Sequence, residues 1–287
     1  MAKFFKTRTL LSLSAFLCAQ MLCHSVAADA LTDAVNGEHR TPAFTERDKF
    51  RHPVATLEFF EVEPTHAVVE IWPGAGWYTE ILAPYLQQKG ALYLAHFPEN
   101  SKVEYFVRSR EKFMQKLSDN PTVYSKVVIT EFGPNADSPM APPRIADRVL
   151  TFRNVHNWLS DDFAEQAFPQ FYRALKPGGL LGVVEHRAKP GASLEEMRES
   201  GYVTEEYVVQ LATEAGFELV AKSEINANPK DTADHPSGVW TLPPSLRLGD
   251  KDREKYIAIG ESDRMTLKFR KPVRDVPGTA DKDQPAE

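Results

Sequence analysis

Ala67-Val68-Val69-Glu70-Ile71-Trp72-Pro73-Gly74-Ala75-Gly76-Trp77-Tyr78-Thr79 is the stretch that decides the fold. A short β-branched run stops at a proline–glycine turn, and the hydrophobic period then changes: Ile81, Leu82, Tyr85 and Leu86 fall on one side of a helix predicted over 78–88. The unit is strand, glycine turn, helix. Outward from it the alternation repeats, with candidate strands at 92–95, 127–130, 148–152, 180–184, 217–223 and 265–269. A helix is predicted over 161–175, with Ser160 as its cap and Lys176-Pro177-Gly178-Gly179 as its stop. Another is predicted over 205–215, with Thr204 as cap and Gly216 as stop. Pro84 and Pro169 fall inside two of these helices and argue for breaks there. Strands alternating with helices imply an α/β protein with a mostly parallel sheet and helices on both faces.

The 287 residues are 42% hydrophobic and 26% charged, an ordinary globular composition that excludes a collagenous, coiled-coil or wholly disordered chain. At the start, Lys3, Lys6 and Arg8 precede the apolar run 9–23 and the small-residue site Ser25-Val26-Ala27-Ala28, which reads as a secretory signal over 1–28. That implies export, in a bacterium to the periplasm. An uncleaved membrane anchor is the alternative, although the run is shorter than the ~20 residues a stable span requires. Cleavage would remove Cys18 and Cys23, so a disulfide framework, a zinc–thiolate site and a cysteine nucleophile are excluded for the mature chain. It would also leave 31 basic against 40 acidic side chains, a net charge of −9 that opposes nucleic-acid binding. Residues 102–116 carry five basic and two acidic side chains among Tyr105, Phe106, Phe113 and Met114, and read as an amphipathic helix with a solvated basic face.

Residues 29–66 read as an N-terminal cap. It is polar and loose to about 41, then enters a short helix capped by Thr45 that ends near His52, and a second helix starting on Pro53. Two long loops, 133–143 and 226–262, hold four prolines each, and loops of that length are usually lids or binding loops. The tail 273–287 reads as disordered.

In an open α/β sheet, ligands bind outside the carboxyl ends of the strands where strand order reverses. Gly74 and Gly76 would admit a ligand to the backbone after the first strand, with Glu70 beside them, although a purely structural tight turn is the other reading of the two glycines. The dinucleotide fingerprint is incomplete, because Thr79 stands where its third glycine belongs.

Three stretches together resemble the class I S-adenosylmethionine-dependent methyltransferases. Val69 to Thr79 looks like that family's acidic-plus-glycine motif. Asp147-Arg148-Val149-Leu150-Thr151-Phe152-Arg153-Asn154-Val155-His156-Asn157-Trp158 looks like its fourth strand and the loop beyond. Arg173-Ala174-Leu175-Lys176-Pro177-Gly178-Gly179-Leu180-Leu181 is similar to its turn into the fifth strand. The wording of the first two stretches further resembles a secreted, methyltransferase-like subgroup. The resemblance implies a Rossmann-like, seven-stranded, mostly parallel sheet with an antiparallel last strand over 67–272, with 226–262 as a lid-like insertion. It also implies S-adenosylmethionine as cofactor and a small-molecule acceptor as substrate. Gly74 and Gly76 would border the methionine part of that cofactor, Glu70 and Asn154 would lie beside the site, and Glu131 would lie near the adenine. His96, with Glu99 after it, stands where the family tends to place a ribose-binding acid, and Trp72 replaces a family glycine.

Methyl transfer asks the protein to align donor and acceptor and to supply a base where the acceptor loses a proton. Arg153, Asn154 and His156 follow the fourth strand, and Glu185 and His186 close the fifth, so both groups should face one crevice. His156 is the first choice of base, and Glu185 with His186 is the alternative acid/base pair. Arg47, Asp48, Arg51 and His52 are expected either to close the pocket or to pair with each other, and an anionic or phenolic acceptor would suit the arginines. Asn228, Lys230, Asp231, Asp234, His235 and Trp240 are expected in a lid. No two histidines have the spacing of a helical His-x-x-x-His ligand pair, so no metal is expected. Two further readings of the fold stay open, a receptor for another metabolite and a lyase or hydrolase.

Overall fold

The computed structural model describes residues 29–273; the expected signal over 1–28, with both cysteines, and the expected tail from 274 lie outside the described residues. The strands are β1 (Ala67–Ile71), β2 (Ala91–His96), β3 (Val128–Glu131), β4 (Ala146–Phe152), β5 (Leu175–His186), β6 (Glu218–Ser223), β7 (Pro236–Val239) and β8 (Arg264–Arg270). Seven of them form one sheet in the order β3-β2-β1-β4-β5-β8-β6. Neighbours from β3 to β5 pair in parallel, and β8, the last strand, runs antiparallel to both β5 and β6. The expected sheet is therefore the observed one. The chain enters at β1 in the middle, winds out to β3 and returns to β4, so order reverses between β1 and β4. Register brings their ends level, with Ile71 opposite both Ala95 and Thr151, and Thr151 opposite Val183.

Side chains alternate across the strands and build two cores. Val69 and Ile71 of β1, with Val149, Leu181 and Phe269, pack under the helices Ala164–Ala174 and Glu205–Glu214. Val68 on the same strand, with Leu94, Leu150 and Val184, packs under Pro53–Phe59, Thr79–Leu86 and Glu104–Asp119. Each fully buried Val or Leu contributes about 1.5–3 kcal/mol, which is why the strands hold their register. The basic segment forms the helix Glu104–Asp119, with Phe113 and Leu117 inward.

Four local expectations need correction. Residues 29–35 are helical rather than loose, because Leu31, Ala34 and Val35 reach the second core. Thr45 ends the helix Pro42–Thr45 and donates its hydroxyl to the Pro42 carbonyl, so the next helix, Asp48–Arg51, starts without it. Ser160 closes a separate helix, Val155–Ser160, and donates to the His156 carbonyl instead of capping Ala164–Ala174. The proline helices do not break. Pro84 removes the N–H that would meet Glu80, and the Glu80 carbonyl bonds the His39 ring at 2.6 Å in its place. Thr204 does cap its helix, accepting from the Tyr207 N–H.

Candidate functional site

At the reversal point lies a cavity of about 310 Å³ over the ends of β1 and β4. Its floor is the turn after β1. Trp72 adopts a left-handed backbone (φ 45°) that a bulky residue rarely takes, and its surroundings hold it there. Its indole N–H donates to the Phe132 carbonyl at 2.7 Å, its amide to Ala95 at 2.8 Å, and its ring packs against Phe97, Phe106, Phe132 and Trp158. Gly74 (φ 58°) follows, and a Cβ there would project into open space. Gly76 (φ 84°) turns away from the cavity, and a Cβ on it would crowd the Phe113 ring at 3.0 Å.

Glu70 reaches the cavity from β1 with one side-chain hydrogen bond, accepted from the Thr79 hydroxyl at 2.7 Å. Burial pushes its carboxyl up to about 7, against the pull of Thr79 and Lys116. Beyond β4, the Asn154 amide donates to the Ile71 carbonyl at 2.9 Å and ties the two strand ends together.

The next feature is a histidine–carboxylate pair. Glu185, fully buried on β5, accepts the Val155 N–H at 2.6 Å, its neighbour His186 N–H at 2.8 Å, and faces His156 Nδ1 at 3.0 Å. A carboxylate acceptor puts the proton on Nδ1 and leaves Nε2 of His156 as an acceptor. His186 lies with its ring 5.1 Å from that of His156 and its Nδ1 2.5 Å from the Ser262 hydroxyl. Burial, with His156 and Arg153 nearby, pushes the His186 imidazole well below its ordinary range, so it is neutral at pH 7. Ligand-type atoms of His156, Glu185 and His186 fall within 4.8 Å of one another, a metal-sized cluster that helical spacing could not reveal. The Glu185 oxygens are already committed to N–H donors, which favours a proton-handling pair over a metal ligand.

The third wall is cationic. Glu261 accepts from Arg47 Nε at 2.5 Å, Arg51 Nε at 3.3 Å and Arg264 Nη1 at 3.2 Å. Burial raises its carboxyl, but Arg51, Arg264, Arg153 and Arg47 together outweigh burial and hold it at about 2. Arg153 stands in a left-handed backbone (φ 62°) at the end of β4, and burial lowers it to about 10. The N-terminal cap is clamped over this wall. Glu80 accepts from the Thr41 amide and hydroxyl, Arg40 and Lys116, and the Trp77 indole donates to the Phe44 carbonyl.

Of the ten residues selected from sequence, Glu70, Gly74, Arg153, Asn154, His156 and His186 line the cavity, and Glu185 stands directly behind His156. The other three do not line it. Gly76 serves the turn. His96 is fully buried, accepts the Phe97 amide at 2.8 Å and sits 3.4 Å from the Gly74 carbonyl; burial holds its imidazole down at about 4. Glu131 accepts the Glu99 amide at the sheet edge. Of the expected lid residues only Trp240 lines the cavity, joined by Val239, Pro243 and Ser245. Asp231 is occupied by Tyr202 and His235, and Asn228 by the Ile259 and Glu261 carbonyls. Loop 133–143 buries Met140 and Ala141 in the core instead of covering the cavity. Glu261, Ser262 and Tyr78 were not foreseen, since only the β8 fold-back and the helix start bring them in.

No protein-family profile and no curated protein matches this sequence. Among solved structures, the chain is similar to an S-adenosylmethionine-dependent methyltransferase from Aquifex aeolicus. That pair shares 16% identity over 80% of this chain and 94% of the other, with a TM-score of 0.50. It is also similar to the [4+2]-cyclase SpnF, with 17% identity over 86% of this chain and 94% of the other and a TM-score of 0.57. The fold is that of the class I methyltransferases. Among the described residues no helix is long and apolar enough to cross a membrane.

The cavity offers two features to a ligand that carries an ammonium group. A Cβ on Gly74 would occupy open space beside it, and Glu70 offers a buried carboxylate to an ammonium group. Beyond Gly74 there is less room, because His96 lies 3.4 Å from the Gly74 carbonyl and Trp72 is packed among aromatic rings.

Proposed function

We propose that this protein is an S-adenosylmethionine-dependent methyltransferase whose small-molecule acceptor gives up a proton to His156. The observation that carries the reading is the His156–Glu185 pair at 3.0 Å on the cavity that also holds Glu70, Gly74 and Asn154. Glu70, Gly74 and Asn154 would hold the methionine end of the donor. When bound, the sulfonium supplies an electrophilic methyl group. His156 Nε2 takes the acceptor proton while Glu185, held by backbone amides, fixes the tautomer and stabilises the imidazolium that forms. Neutral His186 and the Ser262 hydroxyl add uncharged polar groups beside the pair. Trp240 and its neighbours, with Phe44, Arg47 and Arg51 of the N-terminal cap, line the cavity and narrow its access to water, which strengthens these interactions. We read residues 1–28 as an export signal, which sets the reaction outside the cytosol.

A second reading is favoured by His96 and Trp72: a receptor, or an enzyme that transfers no methyl group, on the same fold. One experiment separates the two. Calorimetric titration of the chain with S-adenosylmethionine and with its demethylated product should give micromolar binding, about −8 kcal/mol, that is lost in Glu70→Ala. No heat with either compound in folded protein removes the methyltransferase reading and leaves the second.

A further inference from the structure

The cationic wall is overbuilt for what the chain itself places there. Around Glu261 stand Arg47, Arg51, Arg153 and Arg264, four guanidiniums to one carboxylate. Arg264 is satisfied, bonding Glu261, the Ser262 carbonyl and the Phe50 carbonyl. The others are not. Arg51 has a side chain only 2% exposed and spends its Nε on Glu261, but both its Nη1 and Nη2 lack a hydrogen-bond partner among the described residues. Arg47 Nη2 is likewise buried without one. Arg153 makes no side-chain hydrogen bond among the described residues. A buried donor left unmet is costly, more so on a cation; Arg51 and Arg47 carry such donors, and together with the half-buried Arg153 they face one cavity.

Their geometry limits what meets them. Arg51 is immobilised with its guanidinium 4.7 Å from the centre of the Trp77 ring, leaving its outer N–H edge for a planar or tetrahedral oxyanion, the partner that a guanidinium fork matches. The donor's own carboxylate is too little to account for the wall: with its ammonium and sulfonium, S-adenosylmethionine carries a net positive charge. We propose that Arg47, Arg51 and Arg153 form a binding site for a compact oxyanion, a carboxylate or phosphate, carried by the substrate. As a statement about the methyl acceptor this rests on the methyltransferase reading; as a binding site it does not.

The test is titration of the full chain with inorganic phosphate and, separately, with malonate, in chloride at matched ionic strength. Saturable binding of at least one is expected, and the tighter of the two names the group. Arg153→Gln and Arg47→Gln should each weaken it by about tenfold or more, the loss of one charge-assisted contact, whereas exposed Arg108→Gln should leave it within about twofold. No binding of either probe, or binding indifferent to Arg153 and Arg47, overturns the site. Repeating the titration on protein saturated with S-adenosylhomocysteine decides what the site serves. Retained probe binding supports the acceptor assignment, and its loss gives these arginines to the donor's carboxylate and overturns that assignment. If S-adenosylhomocysteine itself does not bind, the methyltransferase reading fails while the oxyanion site is judged on the free protein alone.

Discussion

Glu70→Gln should raise the stability of the free protein by about 3 kcal/mol at pH 8 but by less than about 1 kcal/mol at pH 5. The Glu70 side chain lies in the middle of the sheet, 2% exposed, and among the described residues the Thr79 hydroxyl alone hydrogen-bonds to it. Burial moves its carboxyl from the ordinary 4.5 to about 7. A folded-state value above the unfolded one favours folding while the group is protonated, and that stabilisation is lost as pH rises from about 4.5 to about 7. At about 1.4 kcal/mol per pH unit the loss is about 3 kcal/mol. The introduced amide keeps the shape and the acceptor for Thr79 and carries no charge, so the variant skips that loss. For a domain of this size about 3 kcal/mol corresponds to a Tm higher by roughly 6 °C at pH 8. Urea denaturation of both proteins at pH 5 and pH 8 reads the effect directly. Taking the difference between them cancels groups common to both, such as His186 and Glu261, which titrate in the opposite sense. A difference that is the same at both pH values, or a variant less stable at pH 8, would refute the placement of Glu70 as a desolvated acid. The same substitution should weaken binding of S-adenosylmethionine, whose ammonium would stabilise the charged carboxylate, and wild-type affinity should rise as pH climbs through about 7.

Other outcomes follow from the same geometry. Glu185→Gln presents an amide NH₂ to a nest of N–H donors around its oxygens and should cost about 2–3 kcal/mol in urea denaturation, besides slowing any proton transfer by His156. Arg40→Leu removes the fully buried cation that holds Glu80, Asp48 and the Val35 carbonyl, and should cost about 3–5 kcal/mol; a loss under about 1 kcal/mol would mean that the cap is not clamped there. Gly238→Ala forces a left-handed backbone on a residue whose new Cβ would overlap the Ser200 backbone. It should displace Val239 and Trp240 from the cavity and weaken ligand binding in calorimetry more than it lowers the Tm. Below pH 4, Glu261 should be among the last carboxylates to protonate: the stability from its low value is present above about 4.5 and is lost as pH falls to about 2, a step that Glu261→Gln removes from the acid limb of the stability profile.

The architecture was legible in the residues because it rests on local period. Val68 and Val69 point to opposite cores, Ile81, Leu82 and Leu86 form one helical stripe, and Thr204 and Gly216 bound a helix; each signal is contained within a few neighbouring positions. The ends of β4 and β5 follow from the same periods, and they put Asn154, His156, Glu185 and His186 on one rim. The misreadings arose where a long-range partner overrode a local rule. Pro84 does not break its helix, since His39, 41 positions before Glu80, takes the Glu80 carbonyl that the proline leaves without its helical donor. Ser160 and Thr45 spend their hydroxyls on carbonyls behind them. His96, chosen for its strand-end position, is instead taken up inside the protein, accepting the Phe97 amide, lying 3.4 Å from the Gly74 carbonyl and packing against the Phe113 ring. The sequence by itself determined the alternating strands and helices and a mostly parallel sheet, since these depend on periodicity along the chain, while the seven-stranded arrangement with its antiparallel last strand was what the family resemblance implied. The tertiary structure alone decided the charge of the cavity. Arg47 and Arg51 meet Glu261 across more than 200 residues, and only the packing of the N-terminal cap against the entry to β8 buries guanidiniums that isolated stretches of sequence would leave in water.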